Sequence, residues 1–166
     1  MNPGDKQTMR SETGKIPVII GITGHKDLRD RDLDDLKNAV CTQLESLRTK
    51  YPNSGFAVMT CLAEGADQLC AEAALGMGFE IITILPMPVD EYSEDFEGDA
   101  LRKLNELTGQ SSKILTAPYK EPFREDRDYL YRQAGLYIAK HCHILFALWD
   151  GIPGNAGEYS TASVVR

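Results

Sequence analysis

A three-layer α/β/α domain around a mainly parallel sheet of five or more strands is the fold this chain predicts, on three observations. Five short apolar runs recur along it, each the length of a strand buried on both faces. Stretches with apolar residues at three- and four-residue steps separate most of them, which is helical spacing. Glycine, proline and charged residues cluster where the runs stop, as expected of loops at a sheet edge.

The first run is Ile16 to Thr23, with Pro17 at its start, where a missing N–H donor is tolerated, and Gly21 inside it. Gly24-His25-Lys26-Asp27 turns the chain. A helix follows, because Leu33, Leu36, Val40, Leu44, Leu47 and Tyr51 share one face; its acids come first and its bases last, matching the helix dipole. Pro52 stops it. Phe56 to Leu62 is the second strand, and Ala63-Glu64-Gly65-Ala66-Asp67 leads into a helix of small residues that ends near Gly76 and Gly78. Phe79 to Leu85 is the third strand, halted by Pro86-Met87-Pro88. A helix is expected over Glu94 to Leu107, with Gly98 a weak point in its first half.

Lys113 to Ala117 gives a short fourth strand, and Tyr119 to Arg124 an exposed loop. Asp126 to His141 reads as a helix with Leu130, Ala134 and Ile138 inward, and Ile144 to Trp149 as the fifth strand. After Asp150 comes a loop with Gly151, Gly154 and Gly157, then Ser160 and Thr161 at the start of another helix. A strand, a glycine-rich loop and a helix start are the parts of a phosphate cradle, although the spacing matches neither a dinucleotide fingerprint nor a P-loop. Residues 1–15 are polar and expected to be a disordered lead-in, with a single domain over 16–166.

Net charge −7 in 166 residues argues against a broad nucleic-acid surface, so no nucleic-acid partner is expected. The four cysteines form no C-x-x-C pair and read as reduced thiols of a cytoplasmic protein. His141-Cys142-His143 lacks a third ligand on one face of a strand, and neither a metal nor a cofactor is implied elsewhere. No apolar run reaches the ~20 residues of a membrane span.

In open sheets of this kind ligands sit beyond the carboxyl ends of the strands, near a switch point in strand order. The loops there nominate Gly21, Thr23 and Gly24 to line a ligand, and His25 to donate to phosphate or stack on a base. Glu64 is nominated for ribose hydroxyls. Gly65, Asp67 and Pro86 belong to the same set, Asp67 serving equally well as a helix cap. Asp150 is placed to brace the last loop, where Gly151, Gly154, Gly157, Ser160 and Thr161 would hold phosphate. Trp149 reads as core, and the acids Asp90, Glu91, Glu94 and Asp95 as a solvated helix entry.

Four stretches, GITGHKDL (21–28), LAEGADQLCAEAAL (62–75), ILPMPVDEY (84–92) and YRQAGLYIAKHCHILFALWDG (131–151), resemble the SLOG superfamily in order and content. That Rossmann-like group contains DNA-processing protein A and the LOG cytokinin-activating hydrolases. The resemblance implies a nucleotide-derived ligand such as ADP-ribose or a cyclic nucleotide, sensed for a fused or associated effector, and association into homo-oligomers. It also implies an alternative, a phosphoribohydrolase that cleaves the N-glycosidic bond of nucleoside 5′-monophosphates with Glu64 and Glu158 as its acids. The last loop, GIPGNAGEYSTASVV, departs from the compact hydrolase motif, with Ser163 where an acid often follows Thr-Ala. The departure favours a binder over an enzyme.

Overall fold

The computed structural model describes residues 15–150. They form β1 (Pro17–Gly24), α1 (Leu33–Lys50), β2 (Gly55–Thr60), α2 (Ala66–Gly76), β3 (Glu80–Leu85), α3 (Val89–Ser93), α4 (Gly98–Gly109), β4 (Lys113–Thr116), α5 (Arg127–His141) and β5 (Ile144–Leu148). Short 3₁₀ turns at Asp30–Asp32 and Glu121–Phe123 precede α1 and α5. All strand pairs are parallel, in the order β4-β3-β2-β1-β5. The chain steps outward from β1 to β4, then returns to the other side of β1 for β5. Strand order therefore reverses between β1 and β5, and the crevice expected of such a reversal lies at their carboxyl ends.

Strand alternation assigns the two layers. Ile20, Ile22, Val58 and Ile81 join one buried cluster with Val40 and Leu44 of α1, Leu69 of α2 and Leu104 of α4. Their neighbours Ile19, Met59, Ile82 and Ile84 point the other way and pack with Ala134 and Ile138 of α5. The central helix α2 is buried along most of its length. Its alanines hold it close to the sheet, against β1, β2 and β3, with α1 and α4 on its flanks.

The helix expected over Glu94 to Leu107 starts only at Gly98, as α4, and a separate short helix, α3, ends before it at Ser93. Glu97 is extended and Gly98 takes φ +52°, which breaks the helical path and lets α3 turn away from α4. The loop expected at Tyr119 to Arg124 contains a 3₁₀ turn. Among the described residues no helix is long and apolar enough to cross a membrane. The expected lead-in, apart from Lys15, and the last loop and helix start lie outside the described residues.

Candidate functional site

The ends of β1 and β5 and the start of α2 are tied together by backbone. His25 N–H donates to Leu148 O at 3.1 Å, and Ala66 N–H donates to His25 O at 3.1 Å. Two glycines permit this. A Cβ on Gly24 would stand 2.3 Å from Cβ of Ala66 and 3.0 Å from Leu148 O. One on Gly65, which has φ +88°, would stand 2.2 Å from Lys26 O. The first amides of α2 are thus satisfied within the fold: Ala66 by His25 O, Gln68 by Ala63 O at 3.2 Å and Leu69 by Gly65 O at 3.0 Å. Gly24 and Gly65 bring two strand ends and the start of α2 to one place by close packing.

Gly21 stands apart from that convergence and corrects its nomination as a lining residue. It is buried in mid-strand on the α5 face, where an added Cβ would meet Cys142 Sγ and Ile138 Cγ2 at 2.8 Å. Its lack of a side chain admits a helix. Thr23 lies on the same face, half-buried, opposite Ala147 of β5. Pro86 is buried at the exit of β3.

Asp67 is buried beneath the rim, only 6% exposed. Its Oδ2 accepts from Thr60 Oγ1 at 2.8 Å and from Cys61 N–H at 3.1 Å. Thr60 Oγ1 in turn accepts from Leu62 N–H at 3.0 Å, and Leu62 takes the left-handed φ of +57°. Burial pushes the Asp67 carboxyl up to about 6, against the pull of its bonds from Thr60, Cys61 and Ala63. The Cys61 thiol is raised well above its usual range by burial and by the Asp67 charge, so it stays protonated. Gln68 completes the joint, its Nε2 donating to Leu62 O at 3.2 Å and to Ala100 O of α4 at 2.9 Å. Of the two roles open to Asp67, the geometry shows the brace: it holds the turn from β2 into α2.

Three nominated side chains, His25, Glu64 and Asp150, face solvent on the rim. His25 Nε2 lies 3.3 Å from Asp150 Oδ1, joining the exits of β1 and β5. Glu64 Oε2 lies 3.4 Å from Lys26 Nζ over the start of α2. Between the β1–α1 loop and the exit of β5 runs a cleft of about 820 Å³ lined by His25, Leu28, Leu36, Leu148, Trp149 and Asp150, among others. Trp149, expected in the core, is half-buried on this wall. On the other side of the β1–α1 loop a smaller cleft of about 330 Å³ holds Lys26, Glu64 and Gly65.

Of the four acids expected to be solvated at a helix entry, Asp90 and Glu94 are exposed, whereas Glu91 and Asp95 are engaged. Arg124 reaches Glu91 with both guanidinium nitrogens, at 3.1 and 2.5 Å. Arg127 Nη2 donates to Asp95 Oδ2 at 2.6 Å, and the Tyr131 hydroxyl donates to the same oxygen. The Arg124 bond holds the Glu91 carboxyl below its usual range. Burial raises the Asp95 carboxyl, but Arg127, Tyr131 and Lys26 together draw it lower. Behind this network Tyr92 is fully buried, edge-on to Phe96 at 4.9 Å, with its hydroxyl unpaired among the described residues. Arg127 and Tyr131 sit four apart on one helix face, a spacing visible in the sequence but overlooked beside the glycine-rich motifs.

His141, Cys142 and His143 diverge. His141 Nδ1 contacts Tyr137 O, Cys142 packs on Gly21, and His143 Nδ1 accepts from Ile19 N–H. Gly151, Gly154, Gly157, Glu158, Ser160 and Thr161 lie outside the described residues.

Sheet order, layer assignment and the rim crevice define a Rossmann-like α/β domain. No family model matches the chain, and no curated protein matches it in sequence. In fold it is similar to the X-ray structure of DNA processing protein A from Streptococcus pneumoniae, with a TM-score of 0.55 and 14% sequence identity. The match covers 90% of this chain and 45% of that one, so the chain spans under half of its neighbour's length. DNA-processing protein A belongs to the group that the four sequence stretches resemble, and fold and motifs therefore agree. The same finding overturns the expectation of no nucleic-acid partner: a protein sharing this fold is a DNA-processing protein. Net charge was the wrong ground for that exclusion, because contacts with a strand are made by a local surface and not by the average over the chain.

Proposed function

We propose that this domain binds a nucleotide-derived small molecule at the carboxyl rim of its sheet and serves as a ligand-sensing module. The observation that supports this reading most is the joining of the ends of β1 and β5 to the start of α2 through His25, whose N–H meets β5 and whose carbonyl meets α2. It brings His25, Glu64, Gly65 and Asp150 to one edge, at the reversal of strand order. Carboxylates there suit ribose hydroxyls, and Trp149 on the cleft wall suits a base. Glu64 stands paired with Lys26 on the open rim, where it can accept from a sugar.

A melting screen tests the proposal. At ~100 times its dissociation constant a ligand adds about 2.7 kcal/mol, which moves the melting temperature of a domain this size by roughly 5–10 °C. AMP, ADP-ribose, cyclic ADP-ribose isomers and NAD form the panel, and one of them is expected to give that shift. Flat melting curves with all four would reject the sensor reading. Free adenine appearing from AMP would favour the phosphoribohydrolase alternative instead.

A second reading, nucleic-acid binding, takes its support from the DNA-processing neighbour of the same fold. Retention of a labelled single-stranded oligonucleotide at physiological salt, with a steep loss as salt rises, is the outcome that would favour it.

A further inference from the structure

The two rim clefts are poor places for a phosphate held by side chains. Among the described residues the larger is lined by four aspartates, Asp27, Asp32, Asp35 and Asp150, against one arginine, Arg29. The smaller carries five acids and three lysines. Cationic groups gather elsewhere on the rim, at the start of α5. There Arg127 Nη2 reaches Asp95 Oδ2 at 2.6 Å, Tyr131 donates its hydroxyl to the same oxygen, and Arg124 grips Glu91 alongside. The Lys26 charge acts on Asp95 as well.

The donors and acceptors of this network belong to different parts of the fold. Arg127 and Tyr131 stand on the first turns of a fifteen-residue helix packed on the sheet, and Lys26 on the loop after β1. Glu91 lies in α3, and Asp95 in the link between α3 and α4. Tyr92 and Phe96 are buried and anchor that link on either side of Asp95. The Asp95 carboxylate, about one-third exposed, can leave its donors by side-chain rotation alone while the backbone stays in place. A guanidinium and a phenol converging on one oxygen, with a second guanidinium beside them, make the donor set that a phosphoryl group takes.

We propose that Arg127 and Tyr131, flanked by Arg124, form a phosphoryl-binding site on the rim, and that Asp95 fills it as an internal carboxylate which a phosphate ligand displaces. The proposal deepens the reading of the rim as a nucleotide site and rests on it for the identity of the molecule that brings the phosphate. The tethered carboxylate competes with that phosphate, so affinity is set by the balance between them.

Inorganic phosphate is the probe, which separates this inference from the nucleotide reading. Asp95→Ala is expected to bind phosphate at least tenfold more tightly than wild type, in titrations matched for ionic strength with chloride. Arg127→Gln added to Asp95→Ala should remove that gain. Equal affinity of wild type and Asp95→Ala, or a gain that survives Arg127→Gln, overturns the proposal. Should Asp95→Ala not fold, the wild-type protein with ¹⁵N-labelled arginine answers the same question. The Arg127 Nε resonance must then move with phosphate while that of Arg102, on α4, stays fixed, and an immobile Arg127 resonance overturns the site. Nucleotide binding that is indifferent to Arg127→Gln would leave the rim reading standing and this one fallen. Phosphate binding at Arg127 with no response to any nucleotide would do the reverse.

Discussion

The rim of the sheet has two halves built on opposite principles. At the exits of β1 and β2 the joint is backbone and buried side chain: glycine-permitted contacts, and one carboxylate, Asp67, with donors from Thr60 and Cys61. At the exit of β3 and the start of α5 the joint is ionic and half-open, made by Arg124 and Arg127 on Glu91 and Asp95. The first kind cannot exchange partners without loss of packing, since its groups have no water to turn to. The second kind can, because exposed ion pairs contribute little individually and their side chains swing freely. The first kind fixes the geometry of the edge, and the second can change partners.

The sharpest way to break the comparison is at Gly65. Gly65→Ala puts a Cβ against Lys26 O and forces a left-handed φ on an L side chain, and neither strain can relax without moving the β1–α1 loop. A loss of about 2–4 kcal/mol is expected in urea unfolding, among the larger effects of a single substitution. Gly98 also has a positive φ, but no atom stands within 4 Å of its missing Cβ. Gly98→Ala is expected to cost only about 1 kcal/mol, from conformation alone. Equal losses at the two glycines would show that conformation, not crowding, sets the cost at the rim.

A smaller effect, with a sign of its own, belongs to Asp67. Its folded carboxyl is raised to about 6 from the ordinary 3.8, so the folded state holds a proton more readily than the unfolded chain. Stability from this group is therefore complete below the unfolded value and is lost as pH rises through about 6. Glu91 and Asp95 run the opposite way, their depressed carboxyls withdrawing stability as pH falls. Comparison with Asp67→Asn isolates the buried group. Between pH 7 and 5 wild type should gain on the variant with falling pH, by up to about 1.4 kcal/mol per unit. A difference that does not change with pH would mean that the Asp67 carboxyl titrates alike in the folded and unfolded chain.

These halves were not equally legible in the sequence. Strand and helix positions could be read because burial imposes periods of two and of three to four, as in Ile19 and Ile20 facing opposite layers. The late start of the third helix at Gly98 could not: a lone glycine permits a positive φ without requiring one, and the buried Tyr92 and Phe96 that seat the segment before it are tertiary facts. Two of the glycines read as ligand-lining have packing roles that local sequence does not show, since Gly21 admits Cys142 and Gly65 admits the carbonyl of Lys26. Glu91 and Asp95 read as solvated because their partners Arg124 and Arg127 lie about 30 positions downstream, beyond any local pattern.

The smallest stability effect carries the most information about function. Glu64 is half-exposed and among the described residues pairs with Lys26 at 3.4 Å, so Glu64→Gln is expected to change unfolding stability by no more than about 0.5 kcal/mol. A carboxylate accepting from two ribose hydroxyls does much more, because those charge-assisted bonds are roughly twice as strong as neutral ones. The same variant should therefore weaken whichever nucleotide raises the melting temperature by about tenfold or more, read as a dissociation constant at fixed salt. If affinity is unchanged, the sugar lies elsewhere on the rim, and the larger cleft beside Trp149 and His25 becomes the place to look. A loss of affinity with no loss of stability would locate the binding energy in a residue that the fold itself does not need.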